Sequence, residues 1–480
     1  MNSSENLLEI EIIAEPGAKF SSPAASGEGI VTASGVISWT PTTSGRAAIA
    51  LRGGTWSLIG YVSTQVLRTL ATLFLARHFL GPEPFGLVGL VGVFIAGLAM
   101  FSELGIVANV VQHPRGDDPE FLHTAFSIQA GRGLAIWLIA AISAYPVALF
   151  YRQPVILPLL VVAATSELVR GLTSTAAWTL TRHVNLRGIT LLTIFSEVVA
   201  FGVAILWAAV APSAWALVAR TVVAAAVYAL GTHFIRRPAV RFGWERSAAR
   251  DILHFGGWVS LSTAAYFLGG QGERLILGKF VTAAELGCFS LALMVSSVPA
   301  GGVNQLVSQI FLPMISKAVR RSREEAIHDF LQARKIFFAI GMVAALGFLA
   351  LGKPFVELVL TSKYRMAGWM LQVLGLRVAL DLFAAPACSL ILAYGKSRYS
   401  ATANTTRLVI MVGGVLVAFH WFGLAQAMIV LIAAQAISYL PLISGLKKVL
   451  PEVARAELRW YAVFVVLLGL AAAIPWPGAK

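Results

Sequence analysis

Seven arginines stand inside stretches of sequence that are otherwise apolar: Arg68, Arg132, Arg170, Arg220, Arg274, Arg377 and Arg407. At the centre of a membrane helix each costs on the order of 2.5–3.5 kcal/mol, so such a side chain faces water, a partner or a ligand. None of the seven is a lysine. The planar guanidinium fork suits a diphosphate, which it can bind through paired N–H groups. Arg68 has the clearest setting, because Tyr61, Gln65, Arg68 and Thr72 step by four, three and four residues and so make one polar stripe on a helix. Ser260, Thr263, Gln271 and Arg274 make a comparable stripe further along. Arg68, Gln65, Arg274 and Gln271 are therefore the first candidates to hold a diphosphate or its sugar, with Arg377, Asn404 and Arg407 as further lining.

The remaining intramembrane charges have simpler explanations. Arg377 and Asp381 are four residues apart, and Glu167 and Arg170 three apart, so each pair can neutralise itself on its own helix. Arg132 and Arg220 read as anchors near an interface. Among the acids, Glu103, Glu167 and Glu197 are the candidates for proton or sodium coupling, since a buried carboxylate with a raised pKa can carry a proton between two states. Balancing an arginine is the plainer role for Glu167, and a helix cap is an equal alternative for Glu103.

Composition fixes the setting of these residues. Of 480 residues, 58% are hydrophobic and 12% charged, against about 45–50% and about 25% in an ordinary soluble domain. With a mean hydropathy of +0.78, the chain reads as an all-α polytopic membrane protein and not as a soluble enzyme. The net charge of +14 would suggest nucleic acid on a soluble protein, but most of the basic residues sit in short gaps between apolar runs. That placement favours anionic lipid headgroups and the setting of topology, with no nucleic-acid partner. The two cysteines, Cys288 and Cys388, lie in apolar runs without a Cys or His at metal spacing, so no disulfide, metal or cofactor is expected. No nucleotide-binding loop, HExxH or nucleophile elbow appears, and no catalytic residue is assigned.

Residues 1–45 differ from the rest. Ser21–Ser44 is rich in Ser, Gly, Thr, Ala and Pro, and no basic stretch leads into an apolar one, so this is read as a disordered tail and not as a secretory signal. From Gly54 onward, spans are predicted at 54–76, 85–111, 121–150, 154–181, 188–210, 213–235, 252–278, 284–315, 332–360, 366–394, 399–419 and 423–446. A thirteenth, 459–476, is short and reads equally as an interfacial helix or an incomplete hairpin. Counting Lys and Arg in alternate loops gives 22 on the N-terminal side and 6 on the other, which places the N-terminus in the cytoplasm. The segment Ser316–Lys335 is basic and helical in pattern, as expected of an amphipathic connector on the membrane surface.

Spans one and seven open alike, Gly53-Gly54-Thr55-Trp56-Ser57 against Gly256-Gly257-Trp258-Val259-Ser260. They also lead into a Phe85-Gly86 and a Leu286-Gly287 at an offset of 201 residues. An even number of spans between them gives the halves one orientation, as in transporters that rock two parallel-repeat bundles about a central site. The expected organisation is a tail (1–45), an N-lobe (46–250), a C-lobe (251–446) and a basic connector with a short apolar segment (447–480).

The run Phe79-Leu80-Gly81-Pro82-Glu83-Pro84-Phe85-Gly86-Leu87-Val88, continuing to Phe101-Ser102-Glu103-Leu104-Gly105-Ile106, resembles the polysaccharide-transporter (O-antigen flippase) family. That family belongs to the multidrug/oligosaccharidyl-lipid/polysaccharide exporter superfamily. The resemblance implies two six-helix lobes around a central cavity in a bacterial cytoplasmic membrane. It also implies an undecaprenyl-diphosphate-linked oligosaccharide as cargo, and other polysaccharide-assembly membrane proteins as partners. A monomer is the default. Two competitors are weighed against this reading. A multidrug exporter of the same superfamily would favour an acidic or aromatic cavity, and a membrane glycosyltransferase or ligase would need a large outer loop or an acid cluster. The peptidoglycan precursor stays open as an alternative cargo.

Overall fold

A computed structural model describes residues 19–21, 27–31, 37–41, 43–102, 104–235 and 241–473, with side chains from residue 55 onward other than 255–266 and 268–270. Of the residues singled out in the sequence, Glu103, Ser260 and Thr263 therefore lie outside the described side chains. In the expected disordered tail, Lys19–Ser21, Gly27–Val31 and Ile37–Pro41 form a three-stranded antiparallel sheet, with Gly29 opposite Trp39 and Val31 opposite Ile37. Ile37 and Trp39 alternate there with Ser38 and Thr40, the period of two that a strand demands.

The rest is helical. In chain order the helices are α1 (Thr43–His78), α2 (Pro82–Phe101), α3 (Ile106–Gln112), α4 (Pro119–Tyr151), α5 (Ile156–Gly171) and α6 (Ala176–Arg182). They continue as α7 (Arg187–Val210), α8 (Ala214–Ile235), α9 (Arg246–Phe280), α10 (Ala283–Leu306), α11 (Leu312–Arg321) and α12 (Arg323–Val359). The last five are α13 (Arg365–Ala393), α14 (Ser397–Phe422), α15 (Leu424–Ile437), α16 (Leu440–Val449) and α17 (Pro451–Ala473). Among the described residues eleven helical segments are long and apolar enough to cross a membrane, and α5 with α6 makes a twelfth as a pair bent by 61°. The 35-residue α9 adds a further long helix. Leu70, Ile142, Leu206, Val343, Val409 and Val466 point outward from six of these helices, as side chains that meet lipid must.

The spans expected at 85–111 and 154–181 are not continuous, and at both breaks side chains of another helix bond backbone groups. α2 stops at Phe101, and Arg132 of α4 caps it by donating from Nε to the Ser102 carbonyl (2.7 Å) and from Nη2 to the Ala99 carbonyl (2.6 Å). Between α5 and α6, the Ser174 N–H donates to Thr232 Oγ1 at 3.0 Å, and the ring of His233 lies 2.9 Å from the Leu172 carbonyl. Side chains of α8 thus replace the helical bonds that the bend gives up. The thirteenth span is not a short one: α17 runs for 23 residues and packs on α12 and α16. Arg334, which falls in the expected basic connector Ser316–Lys335, is what fastens it. Its side chain is 0% exposed, its Nε donates to Glu457 of α17 at 2.8 Å, and Phe383 stacks 4.1 Å from it.

α4 with α5, α7 with α8, α5 with α8 and α1 with α7 make one packed group, and α12 with α13, α14 with α15 and α10 with α13 another. α9 bridges them. Ala248, Ala249 and Ile252 at its start are buried with Ile106 of α3, Phe121 of α4 and Trp178 of α6, while α9 also packs on α14. The first turns of α9 thus pack with the expected N-lobe, although the pattern of spans opens the C-lobe at residue 251.

The two groups also meet where α2 crosses α10. A Cβ on Gly86 would sit 1.9 Å from the Ala283 carbonyl oxygen, and one on Gly287 would sit 1.8 Å from that of Pro82. Each contact maps on the other by a shift of 201 residues, as a self-complementary contact about a two-fold axis requires. Only glycine lets the backbones come this close.

Further bonds tie the same end of the bundle. Arg77, in the last turn of α1, donates to the carbonyls of Leu358 and Val359 (3.0 Å) at the end of α12. Lys279, 202 residues on, donates to the Phe150 carbonyl at the end of α4 and lies 4.1 Å from the Phe150 ring. Each cation thus meets the negative end of a helix dipole in the other group. Tyr364 Oη donates to the Leu80 carbonyl (2.9 Å) and Tyr151 Oη to that of Leu275 (3.1 Å).

Candidate functional site

The intramembrane arginines gather into two clusters. In the first, α1 carries Arg68 and α7 carries Glu197, and Arg68 Nε donates to Glu197 Oε1 at 2.7 Å while Nη2 reaches the same oxygen. Glu197 is 7% exposed and Arg68 45%, so the carboxylate is enclosed and the guanidinium open on one side. A charge open to hydrocarbon is costly, so that side suits a wet space or a ligand. Arg220 of α8 lies within electrostatic reach of both Glu197 and Arg68 and is no interfacial anchor. Two arginines share one carboxylate, an excess of one positive charge. Gln65 stands half-buried one turn before Arg68 on α1.

The second cluster joins α9, α13, α14 and α15. Arg377 Nη1 bonds Glu273, whose side chain is 1% exposed, and Arg274 interacts with both. Arg407 Nη1 lies 3.8 Å from Asp381 Oδ1 and donates to Gln435 Oε1 at 3.1 Å. The local pairing expected for Arg377 is thus replaced by one between helices, although Asp381 stays near both Arg377 and Arg407. Three arginines face two carboxylates, again an excess of one positive charge. Four buried polar atoms here have no hydrogen-bond partner: Gln271 Oε1, Glu273 Oε1, Arg274 Nε and Arg407 Nε. Asn404 is half-buried one turn before Arg407.

Both clusters sit at similar depth. At 1.5 Å of rise per residue, their members lie about 9–24 Å along their helices from the end tied by Arg77 and Lys279. Glu167 and Arg170 pair with each other on α5, Nε to Oε1 3.5 Å, as their spacing predicts. Glu273 leaves no local signature in the sequence. It precedes Arg274, and neighbours in a helix point about 100° apart, so its partner comes from another helix. Among the described residues no group of three His, Cys, Asp or Glu could hold a metal ion.

A network outside the spans joins the α3–α4 loop to the start of α9. Arg115 donates to both oxygens of Glu245 (2.8 and 2.6 Å) and, from Nε, to Asp118 (2.9 Å). The Arg115 guanidinium holds the Glu245 carboxyl down at about 2, Ser247 adding a second hydrogen bond, and also lowers that of Asp118. The Arg115 pKa is raised in return.

This arrangement of helices has known counterparts. The family model described as "Polysaccharide biosynthesis protein" matches residues 74–367, more than half of the chain. The chain belongs to that family. It is 26% identical over 361 residues to the succinoglycan biosynthesis transport protein ExoT of Rhizobium meliloti (strain 1021), covering 74% of this chain and 70% of that one. It is 22% identical over 369 residues to the lipopolysaccharide biosynthesis protein WzxC of Escherichia coli (strain K12), covering 76% and 74%. Among solved structures, the lipid II flippase MurJ in an inward closed conformation superimposes with a TM-score of 0.64 at 11% identity, covering 87% of this chain and 96% of that one. A multidrug resistance MATE family transporter of the MOP superfamily, inward-facing, gives 0.61 at 17% identity, covering 82% and 96%. The fold of this polysaccharide biosynthesis family member is therefore the one those transporters share.

Proposed function

We propose that this protein is a flippase that carries a polyprenyl-diphosphate-linked oligosaccharide across the bacterial cytoplasmic membrane for surface polysaccharide assembly, by alternating access and without a chemical step. The observation that carries the reading is the charge of the two clusters. Each keeps one positive charge in excess inside the membrane, a match for the two charges of a diphosphate. An exporter of organic cations would need the opposite sign, which disfavours it. The names of ExoT and WzxC favour a surface-polymer precursor over the peptidoglycan one.

In this reading the N-terminus is cytoplasmic, the end tied by Arg77 and Lys279 faces outward, and the two helix groups rock about the α2–α10 crossing. Diphosphate oxygens compete with Glu197 for the open side of Arg68. Once displaced, Glu197 remains beside Arg220, and protonation of the freed carboxylate would couple the cycle to an ion gradient. Arg274, Arg377 and Arg407 take the second phosphate or the first sugar, with Gln271, Gln65 and Asn404 bonding hydroxyls. The polyprenyl tail stays in lipid. Anionic lipids and other polysaccharide-assembly proteins are the expected neighbours of a monomeric transporter.

The test uses a strain lacking the protein, complemented with wild type or Arg68→Ala. Lipid-linked oligosaccharide held on the cytoplasmic leaflet, with surface polymer lost and restored by wild type alone, supports function and site together. Rescue by Arg68→Ala removes Arg68 from the site. Intact surface polymer without the protein overturns the flippase reading.

A further inference from the structure

At the end opposite the α2–α10 crossing, α14 begins and α16 finishes side by side, and four exposed cations meet there: Lys396, Arg398, Lys447 and Lys448. Among the described residues no carboxylate pairs with any of the four, whereas nearby Arg321 and Arg323 have Glu325 and Glu452. The cluster is built around Tyr399. Its ring rests on α16, where a Cβ on Gly445 would come within 2.8 Å of it. Arg398 Nη2 donates to the Tyr399 hydroxyl oxygen at 3.0 Å, and the Lys448 ammonium lies 6.0 Å from the ring centroid. Since that oxygen accepts from Arg398, its own proton is free to donate. Both helices border spanning segments, 397–422 and 424–449, so the cluster lies at headgroup level.

We propose that Arg398, Tyr399 and Lys448 form a binding site for the phosphate of an anionic bilayer lipid, which seats the inner ends of α14 and α16 against the membrane. The guanidinium fork, the ammonium and the phenolic O–H are three kinds of donor converging on one place, the set a lipid phosphate diester accepts. The acyl chains would lie along apolar side chains that remain exposed near this end, Leu392 at the end of α13 and Leu440 at the start of α16. The site rests on the membrane-spanning reading of the chain but not on the flippase reading.

The experiment titrates the full-length protein in neutral detergent with dioctanoyl phosphatidylglycerol and reads the concentration giving half the maximal rise in Tm. At about 1 kcal/mol per basic residue near an anionic surface, removing two cations weakens binding about thirty-fold. Arg398→Gln/Lys448→Gln should move the half-point by that factor, while Lys317→Gln/Arg320→Gln, with the same loss of charge elsewhere on this face, should leave it in place. Dioctanoyl phosphatidylcholine and inorganic phosphate should not raise Tm. An unmoved half-point in the first variant, an equal move in the second, or a full response to inorganic phosphate overturns the proposal. Arg68→Ala, if it abolishes flipping and keeps the half-point, separates this site from the cargo site.

Discussion

Replacing Arg77 and Lys279 by glutamine should open the bundle at the end they tie, and native Cys288 can report it. Cys288 follows Gly287 at the α2–α10 crossing and is 2% exposed, with its thiol near the Ala367 backbone and Tyr364, whose hydroxyl bonds the Leu80 carbonyl across the groups, so it should become reachable as this end opens. Each cation donates to carbonyls at a helix end in the other group. A hydrogen bond from a charged donor contributes about 1.5–3 kcal/mol, and because Arg77 and Lys279 are themselves exposed, the lower figure applies. About 1.4 kcal/mol is tenfold in population. Arg77→Gln should therefore raise the open fraction about tenfold, and the double variant about a hundredfold if the separate contacts add. The assay is the rate of labelling by a membrane-impermeant maleimide added outside cells in a Cys388→Ser background, where rate tracks the open fraction. Lys279→Arg should label at the wild-type rate. Labelling of the double variant within twofold of wild type would refute the reasoning, whereas acceleration only from the cytoplasmic side would overturn the proposed topology.

Three other outcomes are expected. Gly86→Ala places a methyl against the Ala283 carbonyl at 1.9 Å, so the crossing must part; we expect rapid Cys288 labelling and a cost of about 1–3 kcal/mol in thermal unfolding. Glu457→Gln leaves the fully buried Arg334 charge unpaired and should destabilise the chain by about 3–5 kcal/mol, whereas Arg334→Met/Glu457→Leu should recover most of it; equal losses in both would show that packing and not charge is at stake. The Arg115–Glu245 link should weaken on acidification. The Glu245 carboxyl lies below its usual range at about 2, so its contribution is whole above the ordinary value near 4.5 and fades as pH falls toward 2. The Tm gap between wild type and Glu245→Gln should be full at pH 6 and close by pH 2, and a gap independent of pH counts against the link.

The spans were legible in the sequence because the bilayer imposes about twenty apolar residues per crossing wherever the helix ends up. The 201-residue repeat was legible too, since Gly86 and Gly287 answer one steric demand twice. The intramembrane arginines could be named for the same reason: charge in hydrocarbon is rare enough to need a purpose. Their partners could not. Arg68 finds Glu197 from 129 residues away, Arg377 finds Glu273 from 104, and Arg334 finds Glu457 from 123. Such pairs answer to helix packing, which obeys no sequence period. The breaks at α2–α3 and α5–α6 also belong to tertiary structure. A helix stops inside an apolar run only where another helix supplies the missing hydrogen bonds, as Arg132 and Thr232 do. Hydropathy therefore determined that the chain spans the membrane and which charges stand within its spans, and helix packing alone decided which charges meet.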